Sequence, residues 1–173
     1  MSEITVAEVK TALNKTLSVD DAELQTMIDA AEAEYVEYVG PMPGTVTETV
    51  SGGSTSVVLR SEYVTAVTAA AYSDGTTIST SDLVLDARSG IVYWGYGTAG
   101  YFIPGTRNVT LTYTVGALPV NHRQVIIADV AGYFEATQRG PLGPDDTGYS
   151  NAYTATPTVL FPRIRALAPP RVA

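Results

Sequence analysis

The chain has 173 residues, of which 45% are hydrophobic and 16% are charged, and its formal net charge at pH 7 is −8. This composition is typical of one globular domain and excludes a disordered chain. The negative charge argues against general binding to DNA or to anionic membranes, because both require clustered lysine and arginine. The absence of cysteine excludes disulfides, thiolate metal sites and cysteine nucleophiles.

Charge is distributed unevenly along the chain. All 18 acidic residues lie at or before Asp146, whereas Arg163, Arg165 and Arg171 lie beyond it. This asymmetry predicts an acidic body with a basic tail that docks on an acidic partner. The N-terminal sequence MSEITVAEVK is polar, and no run approaches membrane-spanning length, so we expect a protein made in the cytoplasm, without an export signal or a membrane partner.

Two helices are predicted before residue 40. The segment TVAEVKTALN begins with a capping box of Thr5 and Glu8, and a second box of Asp20 and Glu23 is predicted to begin the next helix. Apolar residues in DDAELQTMIDAAEAEYVEYVG recur at the spacing of a half-buried helix.

The opposite face of this second helix is acidic, with no basic residue within the segment. Lys15 and Arg60 are the nearest basic residues along the chain on either side. The sequence therefore predicts an uncompensated acidic face that meets water or a partner.

The segments after Gly40 are typical of antiparallel strands. TVTETV and TSVVLR flank SGGS, and LVLD and IVYW flank ARSG, so two hairpins are predicted. RNVTLTYTVG alternates apolar and threonine positions, which predicts a strand with Val109, Leu111, Tyr113 and Val115 facing inward.

A third helix is predicted over LPVNHRQVIIADVAGYFEATQRG. Its apolar residues cover more than one stripe of the helix surface. The predicted fold class is α+β: an N-terminal helical hairpin, an antiparallel β-rich insertion over about 44–116, and a long apolar C-terminal helix. We expect these elements to form a single domain over residues 1–140, followed by an extended, proline-broken C-terminal arm over 141–173.

Candidate chemistry in the sequence is weak. His122 is the sole histidine and is expected to be a solvated residue at the start of a helix, with no nucleophile motif beside it. GPDDTGYSN does not match the spacing of a calcium loop, and GYGTAGYF lacks the lysine of a P-loop. We therefore expect no enzyme activity, no metal and no cofactor.

The segment WGYGTAGYF places aromatic residues on a glycine-rich loop. Three interpretations stay open: the rings fold back on their own sheet, contact a neighbouring subunit, or stack on sugar rings. The candidate residues are Trp94, Tyr96, Tyr101 and Phe102.

The order of these elements resembles the head-to-tail connector (adaptor) proteins of long-tailed bacteriophages. The resemblance rests on D-D-x-x-L-x-x-x-I-x-x-A followed by Y-x-x-Y-x-G over Asp20 to Gly40, on TYTVG over Thr112 to Gly116, and on Leu118-Pro119 opening a helix. It covers most of residues 1–140.

The resemblance implies a structural virion protein at the head–tail junction, in a ring of about twelve copies below the portal protein. Such a ring extends the DNA channel and contacts a neighbouring connector or tail protein, and DNA passes without sequence-specific binding. Asp29, Glu32 and Glu37 are then candidates for the channel face. Candidates for a portal-docking arm are Leu160, Phe161, Arg163, Ile164 and Arg165.

Two alternatives to this role stay open. One is another connector layer, a stopper or tail-completion protein, and the other is a carbohydrate-binding virion decoration module. Stopper and tail-completion proteins are usually mainly β and lack an N-terminal helical hairpin.

Overall fold

The computed structural model describes residues 3–16, 20–95, 100–138 and 161–167. Among these residues it contains four α-helices and seven β-strands, all paired strands being antiparallel, so the α+β class is confirmed. The chain divides into two compact units. A helical unit comprises Met1–Val39 and Pro119–Ala173, and a β unit comprises Gly40–Leu118.

The helical unit contains α1 (Val6–Ala12), α2 (Asp21–Tyr38), α3 (Val120–Gln138) and α4 (Pro162–Ala166). The predicted capping box at α1 is confirmed, since the Thr5 hydroxyl accepts from the Glu8 backbone N–H and Glu8 accepts from the Thr5 backbone N–H. The second predicted box is wrong. Within the described part of the chain, the Asp20 side chain makes no capping hydrogen bond at α2, and it pairs with Lys15 instead.

α1 and α2 are antiparallel, as expected for a helical hairpin. At one end Lys10 forms an ion pair with Asp21, with Nζ and Oδ1 2.8 Å apart. At the other end the backbone N–H groups of Glu3 and Ile4 donate to Glu32 on α2.

α3 corrects the prediction of a long apolar helix. It spans 19 residues, but polar side chains occur at both its buried and its exposed positions. Its inward stripe includes the polar side chains of His122 and Asp129 together with three apolar ones, while its outer positions carry Asn121 and Glu135. The three buried apolar residues are Ile126, Val130 and Phe134.

The β unit contains two antiparallel sheets. The larger has strand order β1-β7-β3-β4 and the smaller has strand order β2-β6-β5. A 3-10 turn over Thr80–Asp82 leads into β5. The strand bounds are β1 Gly44–Gly52, β2 Ser56–Val58, β3 Val64–Tyr72, β4 Thr77–Ile78, β5 Leu83–Asp86, β6 Ile91–Trp94 and β7 Gly105–Val115.

One predicted hairpin is confirmed and the other is wrong. β5 and β6 pair in register from Leu83 with Trp94 to Asp86 with Ile91. β1 and β2, in contrast, belong to different sheets, so SGGS is a crossover rather than a hairpin turn. The crossover requires glycine at position 52, where a Cβ atom would lie 2.1 Å from the Ile103 carbonyl oxygen.

The inner faces of both sheets form one core, so the β unit is a sandwich. The predicted inward residues of β7 are all buried, which confirms the alternation read from its sequence. The smaller sheet contributes Val57 and Val92 to the same core.

Candidate functional site

The acidic charge of α2 and its N-cap residue is partly compensated by basic residues from elsewhere in the helical unit. Lys10 pairs with Asp21 and Lys15 pairs with Asp20. Arg165 of α4 forms an ion pair with Glu34, although 131 residues separate them in sequence. The expected uncompensated face is therefore reduced to part of the helix surface.

The three candidate channel residues differ in their surroundings. The Glu32 carboxylate is half-buried and accepts hydrogen bonds from the backbone N–H groups of Glu3 (2.8 Å) and Ile4 (2.9 Å). Asp29 and Glu37 are exposed. Asp29 accepts from the Gln25 side chain at 2.8 Å. The two bonds that Glu32 accepts hold the chain before α1 against α2. Glu32 therefore has a structural role that its sequence position did not reveal.

The described part of the predicted arm is packed into the helical unit. Phe161 and Ile164 are buried, and the Phe161 ring lies edge-on to Tyr133 with centroids 5.9 Å apart. This finding differs from the expectation of an exposed arm. Leu160, predicted with these residues, lies outside the described residues.

Asp129 of α3 is a capping residue for α4. Its fully buried carboxylate accepts hydrogen bonds from the backbone N–H groups of Arg163 and Ile164, each at 3.0 Å. These N–H groups lie in the first turn of α4, where a helix has no internal acceptors for them. The periodicity of the sequence did not indicate this role, although an aspartate within the apolar stripe of α3 was a signal for it.

The two arginines of α4 face different surroundings. Arg165 lies over the Tyr38 ring, with its Cζ atom 4.3 Å from the ring centroid, while bonding to Glu34. The hydrogen bond with Glu34 raises the pKa of the Arg165 guanidinium, and the nearby charge of Glu37 acts in the same direction. The Arg163 side chain is 57% exposed and its Nε atom lies 3.8 Å from Asp129.

The aromatic loop is partly folded onto its own sheets. Phe102 is buried in the sandwich core, and Trp94 packs edge-on against it with centroids 5.3 Å apart. Backbone hydrogen bonds between Phe102 and the residues of the crossover hold this segment in place. Tyr101 is 57% exposed, and Tyr96 lies outside the described residues. Of the described candidates, Tyr101 is the one positioned to contact another molecule.

His122 corrects a prediction. It is buried rather than solvated, and its Nδ1 atom lies 2.8 Å from the Tyr35 hydroxyl. This pair joins α3 to α2 across 87 residues of sequence.

Two other features are absent from the described ranges. No group of three or more histidine, cysteine or acidic side chains in them is arranged to hold a metal ion. No helix among these residues is long and apolar enough to cross a membrane.

Solved structures similar to this chain come from gene transfer agent (GTA) particles. One is a chain in the neck of an empty GTA particle, computed with C6 symmetry: identity is 21%, the alignment covers 99% of this chain and 92% of that chain, and the TM-score is 0.61. A chain in the virion of a native GTA particle has the same identity and coverage, with a TM-score of 0.63. The chain has their fold.

A third similar chain comes from the neck of a native GTA particle, computed with C12 symmetry. It is 20% identical over 97% of this chain and 90% of that chain, with a TM-score of 0.59. No protein-family model and no curated protein matches the sequence. The comparisons thus establish a fold shared along nearly the whole chain.

Proposed function

We propose that this chain is a structural, non-enzymatic protein of the neck of a phage-like particle. The observation that carries the proposal is the fold shared with chains of GTA necks and virions over 97–99% of the sequence. The order of connector-like motifs from Asp20 to Pro119 supports the same location.

Within the neck, the adaptor role is the best supported position. The protein forms a ring of about twelve copies below the portal, extends the DNA channel and joins the capsid to the tail. Similarity to necks computed with C6 and C12 symmetry supports a cyclic assembly. A stopper or tail-completion role is less well supported, because this chain begins with the α1–α2 hairpin.

Asp29 and Glu37 are the proposed channel residues. Both are exposed. They lie eight positions apart on α2, so on an ideal helix their side chains point in directions about 80° apart. Carboxylates on a channel wall repel phosphate and let DNA pass without sticking. Glu32 is a weaker candidate, since its carboxylate is already occupied by two backbone N–H groups.

Portal docking is proposed for the C-terminal segment around α4. The exposed side chain of Arg163 is available to an acidic partner while Phe161 and Ile164 stay buried. Phe161 and Ile164 can contact the portal protein only after the hydrogen bonds between α4 and Asp129 break and α4 separates from α3.

Stoichiometry in solution tests this function. We expect a monomer or weak oligomer for the protein alone, because ordering a partner-binding segment has an entropic cost, and a ring-sized complex after the portal protein is added. Mass photometry of the protein, the portal and their mixture measures this. Stable two-fold dimers that do not bind the portal would contradict the proposal.

A further inference from the structure

The outer face of the smaller sheet is largely apolar although it meets solvent, and Ser56 and Asp86 complete its two rows of side chains. Val58, Val84 and Tyr93 are 65%, 47% and 40% exposed, and Ile91 lies beside Val58 in the register. The opposite side of the same sheet packs in the sandwich core. An exposed patch in which apolar side chains predominate is typical of a surface that another molecule covers. These four residues are called the valine face.

The outer face of the larger sheet consists of threonine and alanine side chains, which carry no charge. In β1 and β7, Thr45, Thr47 and Thr49 lie directly opposite Thr114, Thr112 and Thr110. In β3, Ala66, Ala69 and Ala71 continue the same three rows. The side chains of these rows, all in described strands, carry no charge. They are called the threonine face.

The hydroxyl groups of the threonine face are largely bonded within the sheet. Thr47 and Thr112 share a hydrogen bond of 3.0 Å, and Thr49 and Thr110 share one of 3.5 Å. Thr68, the extra residue of a β-bulge in β3, donates to the Thr112 carbonyl oxygen at 3.1 Å. Burying a polar group costs free energy mainly when the group lacks a hydrogen-bond partner. Another molecule can therefore cover this face without leaving many hydroxyl groups unbonded.

Charge favours contact between these two faces in neighbouring copies. A chain with a net charge of −8 repels its own copies at most surfaces, and the repulsion is weakest where a face carries few charges. The threonine face carries none. Asp86, which lies beside Ile91 at the edge of the valine face, accepts hydrogen bonds within the β5–β6 turn from the Arg88 backbone N–H and the Ser89 hydroxyl. The two faces lie on opposite sides of one sandwich, because the inner faces of both sheets form the shared core. Two different surfaces on opposite sides are what a head-to-tail cyclic contact requires.

We propose that the valine face of one copy packs against the threonine face of the next copy in the ring. This inference rests on the proposed ring and adds the surfaces that build it. Sheets that pack face to face lie about 10 Å apart, and the valine side chains then fill the spaces between the threonine and alanine methyl groups.

Engineered disulfides test this contact, since the natural chain contains no cysteine. Val84→Cys and Ala69→Cys place one thiol on each face without removing a hydrogen-bonding side chain. A disulfide within one copy is geometrically excluded, because the Cα atoms must approach within about 7 Å while the two sheets lie about 10 Å apart.

The double variant is oxidised in samples that show rings by electron microscopy, then separated on non-reducing gels. The proposal expects a ladder of covalent multimers from the double variant and no covalent product from either single variant. A matched pair, Ala69→Cys with Thr76→Cys on the exposed turn after β3, controls for random collisions and should give no ladder.

The other outcomes separate the two proposals. Rings without a ladder overturn the contact and leave the ring standing. Covalent dimers from Val84→Cys alone indicate that like faces meet, which also overturns the contact. Absence of rings, with or without portal, overturns the proposed function, and the contact falls with it.

Discussion

The carboxylate of Asp129 accepts a hydrogen bond from the backbone N–H of Ile164, 35 residues further along the chain. The same oxygen accepts from Arg163, so one fully buried side chain caps the first turn of α4. A five-residue helix is too short to be stable alone. Its position therefore depends on this cap, on the burial of Phe161 and Ile164, and on the pairing of Arg165 with Glu34.

Replacing Asp129 tests the importance of the cap. Asp129→Ala leaves two N–H groups without their acceptor and should lower the free energy of unfolding by about 1–3 kcal/mol. Asp129→Asn keeps one acceptor oxygen and should lose less. Urea denaturation of both variants measures the difference, and equal stability of Asp129→Ala and wild type would show that α4 does not depend on the cap.

Truncation gives a second test of the C-terminal segment. If residues 141–173 were only an extended arm, as the sequence predicts, a chain ending at Pro157 would keep its fold intact. Because Phe161 and Ile164 are buried, we now expect this truncation to lower the melting temperature clearly. A chain ending at Leu167 retains all the described contacts of α4 and is the matched control. If both truncated chains melt like wild type, α4 adds nothing to stability.

The sequence predicted those features whose determinants are local. The capping box of Thr5 and Glu8 involves residues three positions apart, and the alternation in β7 directly indicated its buried side. The β5–β6 hairpin was also predictable, because its partners flank a short turn containing Gly90 at φ 65°.

The remaining features depend on residues that are distant in sequence. SGGS resembled a hairpin turn because it lies between two β-rich segments. The true partner of β1 is β7, at the far end of the β unit, and no local pattern indicates that pairing. His122 was expected at the surface because nothing near it in sequence indicates Tyr35. Arg165 compensates Glu34 from a segment that local patterns predicted to be a free arm. Side-chain pairing across such separations cannot be inferred from periodicity alone.

Acid sensitivity is predicted for the contact between α1 and α3. The backbone N–H of Thr5 and the Arg123 guanidinium lower the pKa of Glu8 from 4.5 to about 2. A lowered pKa in the folded state stabilises the protein above pH 4.5, and this contribution is lost as the pH falls toward 2. Urea denaturation at several pH values should show a smaller loss on acidification for Glu8→Gln than for wild type.

Glu62→Gln, at an exposed position in the β unit, is the control for this measurement and should follow wild type. An unchanged pH dependence in Glu8→Gln would show that the bonds of Glu8 are not responsible.

Charge reversal on α2 separates a channel wall from an ordinary surface. Asp29→Lys with Glu37→Lys should change the free energy of unfolding by less than about 0.5 kcal/mol, because both side chains are exposed. Particles with this variant should package or eject DNA slowly at low salt and recover at high salt, since lysine attraction to phosphate weakens as salt rises.

Glu32→Lys is the contrasting variant, and it should be clearly destabilised because the backbone N–H groups of Glu3 and Ile4 lose their acceptor. Wild-type DNA movement in the double variant at every salt concentration would indicate a solvated face. Failure of that variant to assemble at any salt concentration would assign these carboxylates to a subunit contact.

The central claim is that this chain builds a ring in the neck of a phage-like particle. Electron microscopy of the purified protein mixed with its portal protein tests it most directly. We predict a closed ring of this chain, coaxial with the portal and on its tail side, with an open channel wide enough for duplex DNA. Portal particles without added density, together with a discrete two-fold dimer of this chain, would contradict the claim.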